Sequence, residues 1–201
     1  MAFGQNPDLT EHARMEKLFH LLSGIHSLSP ALQEELMARL SQRELSRKDY
    51  LLKAGHICRS ICFVEKGLLR CFYNKGDTEV CSWFMKEGDV IVSIESFFQQ
   101  KKSYESIQAL EDCSLLCIDY SQLQAIYRNF PEFNFIGRVL TEKYYVLWAQ
   151  QLYGLRMQSS QERFHWLLEN FPDLFLRVPS KYLASYLGIT EVTLSNIKGR
   201  K

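Results

Sequence analysis

No stretch of this sequence stays apolar for the roughly 20 residues that crossing a bilayer requires. Neither sign of charge dominates: 24 basic side chains stand against 23 acidic ones, for a net charge of +1. No internal repeat or low-complexity segment is evident. Near the start, Asp8, Glu11, His12, Arg14, Glu16 and Lys17 interrupt any apolar core that a secretory leader would need. The expected location is therefore cytoplasmic, away from any membrane. Catalytic constellations are missing too. The 5 histidines are dispersed, and there is no HExxH pair, no GxSxG elbow and no GxxxxGK(S/T) loop. The sequence offers no catalytic residue and no metal-ligand set, so an enzyme reading has nothing to rest on.

What is present describes a folded globular chain. At 201 residues with 46% hydrophobic content, it holds enough for one large domain or two small ones. Cys58, Cys62, Cys71, Cys81, Cys113 and Cys117 lie among apolar residues without a CxxC pair. Disulfides, a metal or iron–sulfur site, and buried thiols compete as explanations. A cytoplasmic location argues against disulfides, and free cysteine packs as a small hydrophobe. Six buried thiols are the expectation.

Periodicity divides the chain into four parts. From about Leu9 to Arg43 the pattern is helical, with Leu18, Leu21, Leu22 and Ile25 on one face and a second helix opening at Ser29-Pro30. From Leu45 to about Asp119, short runs rich in β-branched and aromatic residues are broken at Gly55, Gly67, Gly76 and Gly88. That spacing suggests an antiparallel sandwich or barrel. Asn74-Lys-Gly-Asp77 reads as a hairpin turn. Next, Ser121 opens a short helix, Asn129-Phe-Pro131 breaks it, and a long helix follows. Its apolar positions Phe135, Ile136, Val139, Leu140, Tyr144, Val146, Leu147 and Leu152 exceed one narrow stripe. Such a helix needs partners on more than one side, a sheet on one and the same helix of a second subunit on the other. Residues Gln161 to Phe171 form one more helix.

The fourth part, Val178 to Lys201, carries the most information. Pro179 stands where a helix begins, with Tyr182, Leu183, Tyr186 and Leu187 on one face. Gly188 supplies a sharp turn, and Thr190 caps a second helix that carries Val192, Thr193, Ser195 and Ile197. This is a helix-turn-helix pattern, which lays its second helix in the DNA major groove. Arg177, Lys181, Lys198, Arg200 and Lys201 surround a single acid, Glu191, and suit phosphate contact. The bland alternative is a helical hairpin with a solvated basic tail.

Four strings in order are similar to the Crp/Fnr family of bacterial transcription regulators: Leu51-Leu-Lys-Ala-Gly55, Ile61-Cys-Phe-Val-Glu-Lys-Gly67, Glu87-Gly-Asp89 and Leu183-Ala-Ser-Tyr-Leu-Gly-Ile-Thr190. The resemblance implies an α+β fold: a cyclic-nucleotide-binding-like antiparallel β jelly roll with flanking helices, a long dimerisation helix and a small C-terminal winged helix-turn-helix. In those terms residues 1–130 are a sensor, 131–157 the dimerisation helix and 158–201 the DNA-binding part. It implies double-stranded DNA and a second copy of the chain as partners, with RNA polymerase as a third.

Site residues follow from the same comparison. Family members that bind cyclic nucleotides use a Gly-Glu pair and a downstream Arg. Here the matching stretch offers Ile94, Glu95 and Ser96, then Lys102, Ser103 and Tyr104 as effector-facing residues, with Ser103 at the arginine position. A backbone without the glycine and a site without the guanidinium predict that cAMP is not bound in the usual way. The sandwich stays open to another small molecule of unknown identity. No cysteine precedes Cys58, so no iron–sulfur cluster is expected. On the second helix, Thr190, Glu191, Val192, Thr193, Ser195, Asn196, Lys198 and Arg200, with Lys181 before them, are the DNA-facing residues. Glu191 can accept from cytosine, Asn196 suits adenine and Val192 a thymine methyl, so a site tolerant of A·T pairs is expected. The competing reading is a ligand-binding or protein-interaction module that has lost DNA binding.

Overall fold

The computed structural model describes residues 7–199, with side-chain surroundings from Met15 onward. Helix α1 (Pro7–Ser23) precedes α2 (Pro30–Arg39). The Ser29 hydroxyl caps α2 by accepting from the Leu32 N–H, and Pro30 occupies a first-turn position where no amide hydrogen is needed. The helical pattern expected up to Arg43 ends earlier. Leu40 is extended, and Ser41–Leu45 forms strand β1 against the edge of a sheet. Only Leu45 of that strand is buried, so its sequence shows no apolar alternation, and pairing with β8 decides its conformation.

The remaining strands are β2 (Tyr50–Leu52), β3 (Ser60–Lys66), β4 (Leu69–Lys75), β5 (Thr78–Met85), β6 (Val90–Ile91), β7 (Glu105–Ala109) and β8 (Cys113–Asp119). They make two four-stranded antiparallel sheets, β1-β8-β3-β6 and β2-β7-β4-β5. The expected antiparallel sandwich with flanking helices is thus the architecture. Val64, Leu69, Ile91, Ile107 and Leu115 fill its interior, and the short helix α3 (Ile94–Gln99) interrupts the path from β6 to β7. The Asn74–Asp77 turn joins β4 to β5 with Gly76 at φ 59°.

Cys62 and Cys117 depart from the expectation of six free thiols. They lie directly opposite each other on β3 and β8, with Cα atoms 4.0 Å apart, and are joined as a disulfide. Their 55-residue separation hides the pair from any local spacing rule; register alone brings them together. Cys58, Cys71, Cys81 and Cys113 are free and buried, and burial pushes each thiol up.

Past the sandwich the chain is helical. Helix α4 (Tyr120–Asn129) opens one residue before the expected Ser121, where Gln122 accepts from the Asp119 N–H. Pro131 starts the long α5 (Pro131–Met157). Then come α6 (Ser160–Asn170), α7 (Leu174–Arg177), α8 (Ser180–Leu187) and α9 (Glu191–Gly199). Residues 158–199 hold no strand, so the wing that the resemblance implies is absent among the described residues.

The tightest backbone constraint is the turn between β3 and β4. Gly67 sits at φ 96°, and a Cβ there would lie 2.6 Å from both the Asp112 carbonyl and the Cys113 sulfur. Gly67→Ala should therefore cost at least about 2 kcal/mol, from backbone strain and overpacking together. Urea unfolding would show it as a lower midpoint at unchanged slope, whereas Gly76→Ala meets open space and strains only the backbone.

Candidate functional site

The terminal helix pair is built by local signals. Pro179 is the residue before α8 rather than its first residue, and Gly188 ends α8 in the left-handed region at φ 67°. The Thr190 hydroxyl accepts from the Thr193 N–H at 3.1 Å and pairs with the Thr193 hydroxyl at 2.9 Å, which caps α9. Leu194 is buried with Leu183, Ala184 and Leu187. Glu191, Val192, Ser195, Asn196 and Lys198 remain exposed, at positions i, i+1, i+4, i+5 and i+7 of one helix, so they share its outer side. Val192 is 70% exposed. Thr193 is half-buried, and Lys181 is exposed at the start of α8 with its ammonium 4.6 Å from the Tyr182 ring. Arg200 lies outside the described residues.

The pair is seated on the sandwich through α8. Leu68, Phe72, Cys81, Phe84 and Leu110 of the β domain join Phe164, Leu167, Leu174, Leu183 and Leu187 in one apolar cluster. Beside it, the Arg70 guanidinium lies between the rings of Phe72, at 4.0 Å, and Tyr182, at 3.8 Å. It reaches Glu79 at 2.7 Å and donates twice to Gln108. The Arg70 side chain is 2% exposed. Arg177 of α7 bridges Glu87 and Glu111 at 2.9 and 2.6 Å, while Lys86 pairs with Asp173. Burial opposes charge on Glu87, but hydrogen bonds from Arg177 and from backbone amides outweigh it and hold the carboxyl below its usual range.

The expected effector residues divide into two groups. Ser96 and Ser103 are buried and already bonded within the protein. The Ser96 hydroxyl accepts from the Cys58 N–H at 2.8 Å and donates to the Lys101 carbonyl. Ser103 pairs with the Ser93 hydroxyl at 2.9 Å and accepts from the Glu105 N–H. Ile94, Glu95, Lys102 and Tyr104 are exposed instead. Glu95 is paired with Lys101, and Lys102 is tied to Ile57 by a backbone bridge. Beside Ser103 stands a half-buried acid, Glu105, to which the sequence reading assigned no role. Burial raises the Glu105 carboxyl, and hydrogen bonds from Ser93 and Tyr73 offset only part of the rise. Burial likewise pushes Tyr73 up to about 12, with Glu105 adding to the effect. A carboxyl and hydroxyls already engaged with one another present no fixed cation to an anionic ligand.

On α5, Tyr144 and Gln151 reach the sandwich: the Tyr144 hydroxyl accepts from the Val90 N–H and Gln151 donates to the Ser82 carbonyl. Tyr145, Trp148, Leu152 and Leu155 form a second stripe, 66%, 52%, 38% and 46% exposed. Their 3-4-3 spacing is that of a coiled-coil seam. Three of these four escaped the sequence reading, although the spacing itself was available to find them. Among the described residues no helix is long and apolar enough to cross a membrane, and no group of acidic, histidine or cysteine side chains is arranged to hold a metal.

Comparison with known proteins adds a family for the sandwich and a fold for the whole. Residues 42–130 match the cyclic nucleotide-binding domain. No curated protein matches the sequence. A mutant of CooA from Carboxydothermus hydrogenoformans is similar in structure, at 21% identity and a TM-score of 0.66, over 86% of this chain and 78% of that one. The c-di-GMP responsive regulator CLP from Xanthomonas campestris is similar at 14% identity and a TM-score of 0.68, over 84% and 89% of the two chains. FixK2 from Bradyrhizobium japonicum is similar at 17% identity and a TM-score of 0.68, over 80% and 83%. The sandwich of this chain thus matches the cyclic nucleotide-binding domain over residues 42–130, and the chain shares its fold with CooA, CLP and FixK2.

Proposed function

We propose that this chain is a homodimeric, DNA-binding transcription regulator of the Crp/Fnr type. The observation that carries the reading is the terminal helix pair. Capped α9 turns Glu191, Val192, Ser195, Asn196 and Lys198 to solvent while α8 and Leu194 hold it to the rest of the chain. Residues 1–130 act as sensor, 131–157 as dimerisation helix and 158–201 as the DNA-reading part. Two copies joined along the Tyr145–Leu155 stripe present two reading helices, which must meet grooves roughly 34 Å apart. The sensor does not take cAMP in the usual way, because Ser103 and Glu105 stand where an anion would need a guanidinium.

Three measurements test this. Wild-type protein should shift sheared genomic DNA in a salt-sensitive way, and Lys198→Ala should lower the salt slope by roughly one per protomer. Operator selection should favour A·T-tolerant sites. Absence of any salt-sensitive shift favours the protein-interaction reading, and a G·C-rich consensus removes the assigned base readers.

Trp148→Glu should leave a folded monomer by sedimentation, since the ring is half exposed in one copy and a charge at the seam costs on the order of 2 kcal/mol or more. A dimer that survives this change places the interface elsewhere.

Adding cAMP should leave the melting temperature unchanged. Glu105→Gln should raise it at neutral pH. The folded carboxyl titrates above its unfolded value, so ionisation weakens the wild type as pH rises through that window. The advantage of the glutamine variant should shrink as pH falls and vanish well below about pH 4, where both states carry the proton.

A further inference from the structure

A cavity of about 420 Å³ lies between α5, α6 and α8, apart from the serine-lined interior of the sandwich. Its volume falls within the roughly 300 to 1,000 Å³ of small-molecule sites. The walls are mainly aromatic: Tyr145 and Tyr153 of α5, Trp166 of α6 and Tyr186 of α8, joined by Leu155 and Leu187.

One cation lines this apolar space. Arg163 of α6 is half-buried, and two backbone carbonyls fix its guanidinium. Its Nε donates to Leu187 at 2.9 Å, and one terminal nitrogen donates to Gln158. These acceptors stand at the ends of α8 and α5, so part of the arginine's role is structural: a cation set against two helix C-termini. That role leaves donors over. A guanidinium carries five N–H groups; two are used here, and the other three include at least one on each terminal nitrogen. Among the described residues no carboxylate pairs with Arg163, whereas Arg39, Arg70, Arg138 and Arg177 each meet at least one. A fixed fork with free N–H groups on both tips matches the two oxygens of a carboxylate.

Tyr186 adds a polar group without a partner. Its ring packs against Trp83 and Phe84, at 6.4 and 5.4 Å between centroids. Its hydroxyl makes no hydrogen bond among the described residues. Burial pushes that phenol well above its ordinary value, so it stays protonated and able to donate. The lining holds no lysine and a single arginine, which balances one negative charge and leaves a phosphate dianion undercompensated. Tyr145 and Leu155 also belong to the proposed dimer seam, so a second copy is the competing occupant. The stripe that it would bring, Tyr145, Trp148, Leu152 and Leu155, carries no carboxylate for Arg163.

We infer that the cavity between α5, α6 and α8 is a binding site for a small amphipathic carboxylate, an organic acid whose single charge pairs with Arg163 and whose apolar body packs against Tyr153, Trp166 and Tyr186. The site is distinct from the expected effector residues around Ser103 and does not rest on the DNA-binding reading.

Calorimetric titration of the full chain with phenylacetate tests it, with neutral phenylacetamide and inorganic phosphate as comparisons. Phenylacetate should bind with a Kd of roughly 1 mM or tighter, within reach of a ligand this small. The amide should bind at least about tenfold more weakly, because it forfeits the charge-assisted pair. Phosphate should not displace the acid. Arg163→Met should erase the preference for the acid over the amide. Ala149→Phe, at an exposed position of the lining, should weaken both ligands and leave the melting temperature unchanged. No binding of phenylacetate at about 10 mM overturns the site. Equal affinity for acid and amide, or displacement by phosphate, overturns the ligand class. Full binding by Ala149→Phe puts the ligand elsewhere, and binding by a Trp148→Glu monomer alone gives the cavity to the second copy; either result overturns the inference.

Discussion

Strand β4 is buried on both faces over Leu69–Phe72, and most of the architecture answers to that condition. Along β4, Leu69 and Cys71 enter the core of the sandwich, while Arg70 and Phe72 face the opposite way and are buried just as deeply. An antiparallel sheet ordinarily leaves one side to water and alternates accordingly. Here the second side has to be covered, and helices α6 to α9 cover it. Their inner residues Phe164, Leu167, Leu183 and Leu187 have no core of their own; the outer face of the sheet completes it. The terminal helices and the sandwich are for this reason one packing problem.

Charge placement follows from the same arrangement. With nearly balanced totals, a small set of charged side chains helps to hold the terminal helices. Arg177 meets Glu87 and Glu111, and Lys86 meets Asp173. Glu87 also accepts from the Gly67 N–H at 2.8 Å, so the turn that permits β3 to enter β4 is tied to α7 through one carboxylate. Partly exposed pairs of this kind contribute modestly. Their value here lies in direction, since a network fixes the angle at which an apolar face is presented, which area alone does not.

Local signals survived the passage from sequence to structure; long-range ones did not. Ser29-Pro30, Asn74-Lys-Gly-Asp77, Asn129-Phe-Pro131, Gly188 and Thr190 mark their turns and caps because a cap or a left-handed residue is decided within four positions. Strand β1 was hidden because its residues are polar and its conformation is imposed by β8. The Cys62–Cys117 bond was hidden because it depends on register between distant strands. Arg70 was hidden for a different reason: a lone arginine between apolar neighbours reads as the outward residue of an alternating strand. That reading is geometrically correct, and what it lacks is the helix that later covers the outward face.

The interior of the sandwich bears on where a signal can enter. Ser93, Ser96, Ser103 and Glu105 satisfy one another and the neighbouring backbone, so a ligand arriving there must break bonds that already exist before it makes its own. The Tyr144 hydroxyl of α5 meets the Val90 N–H of β6 and the Asp89 carboxyl, and Gln151 reaches β5 by a single hydrogen bond at its tip. Single contacts of this kind are exchanged at far lower cost than a closed network. In the proposed dimer, α5 is also the element that meets the second copy, and β5 is the strand on which α8 rests. Gln151 and Ser185 thus meet the same strand, while the serine-lined interior takes no part in either contact.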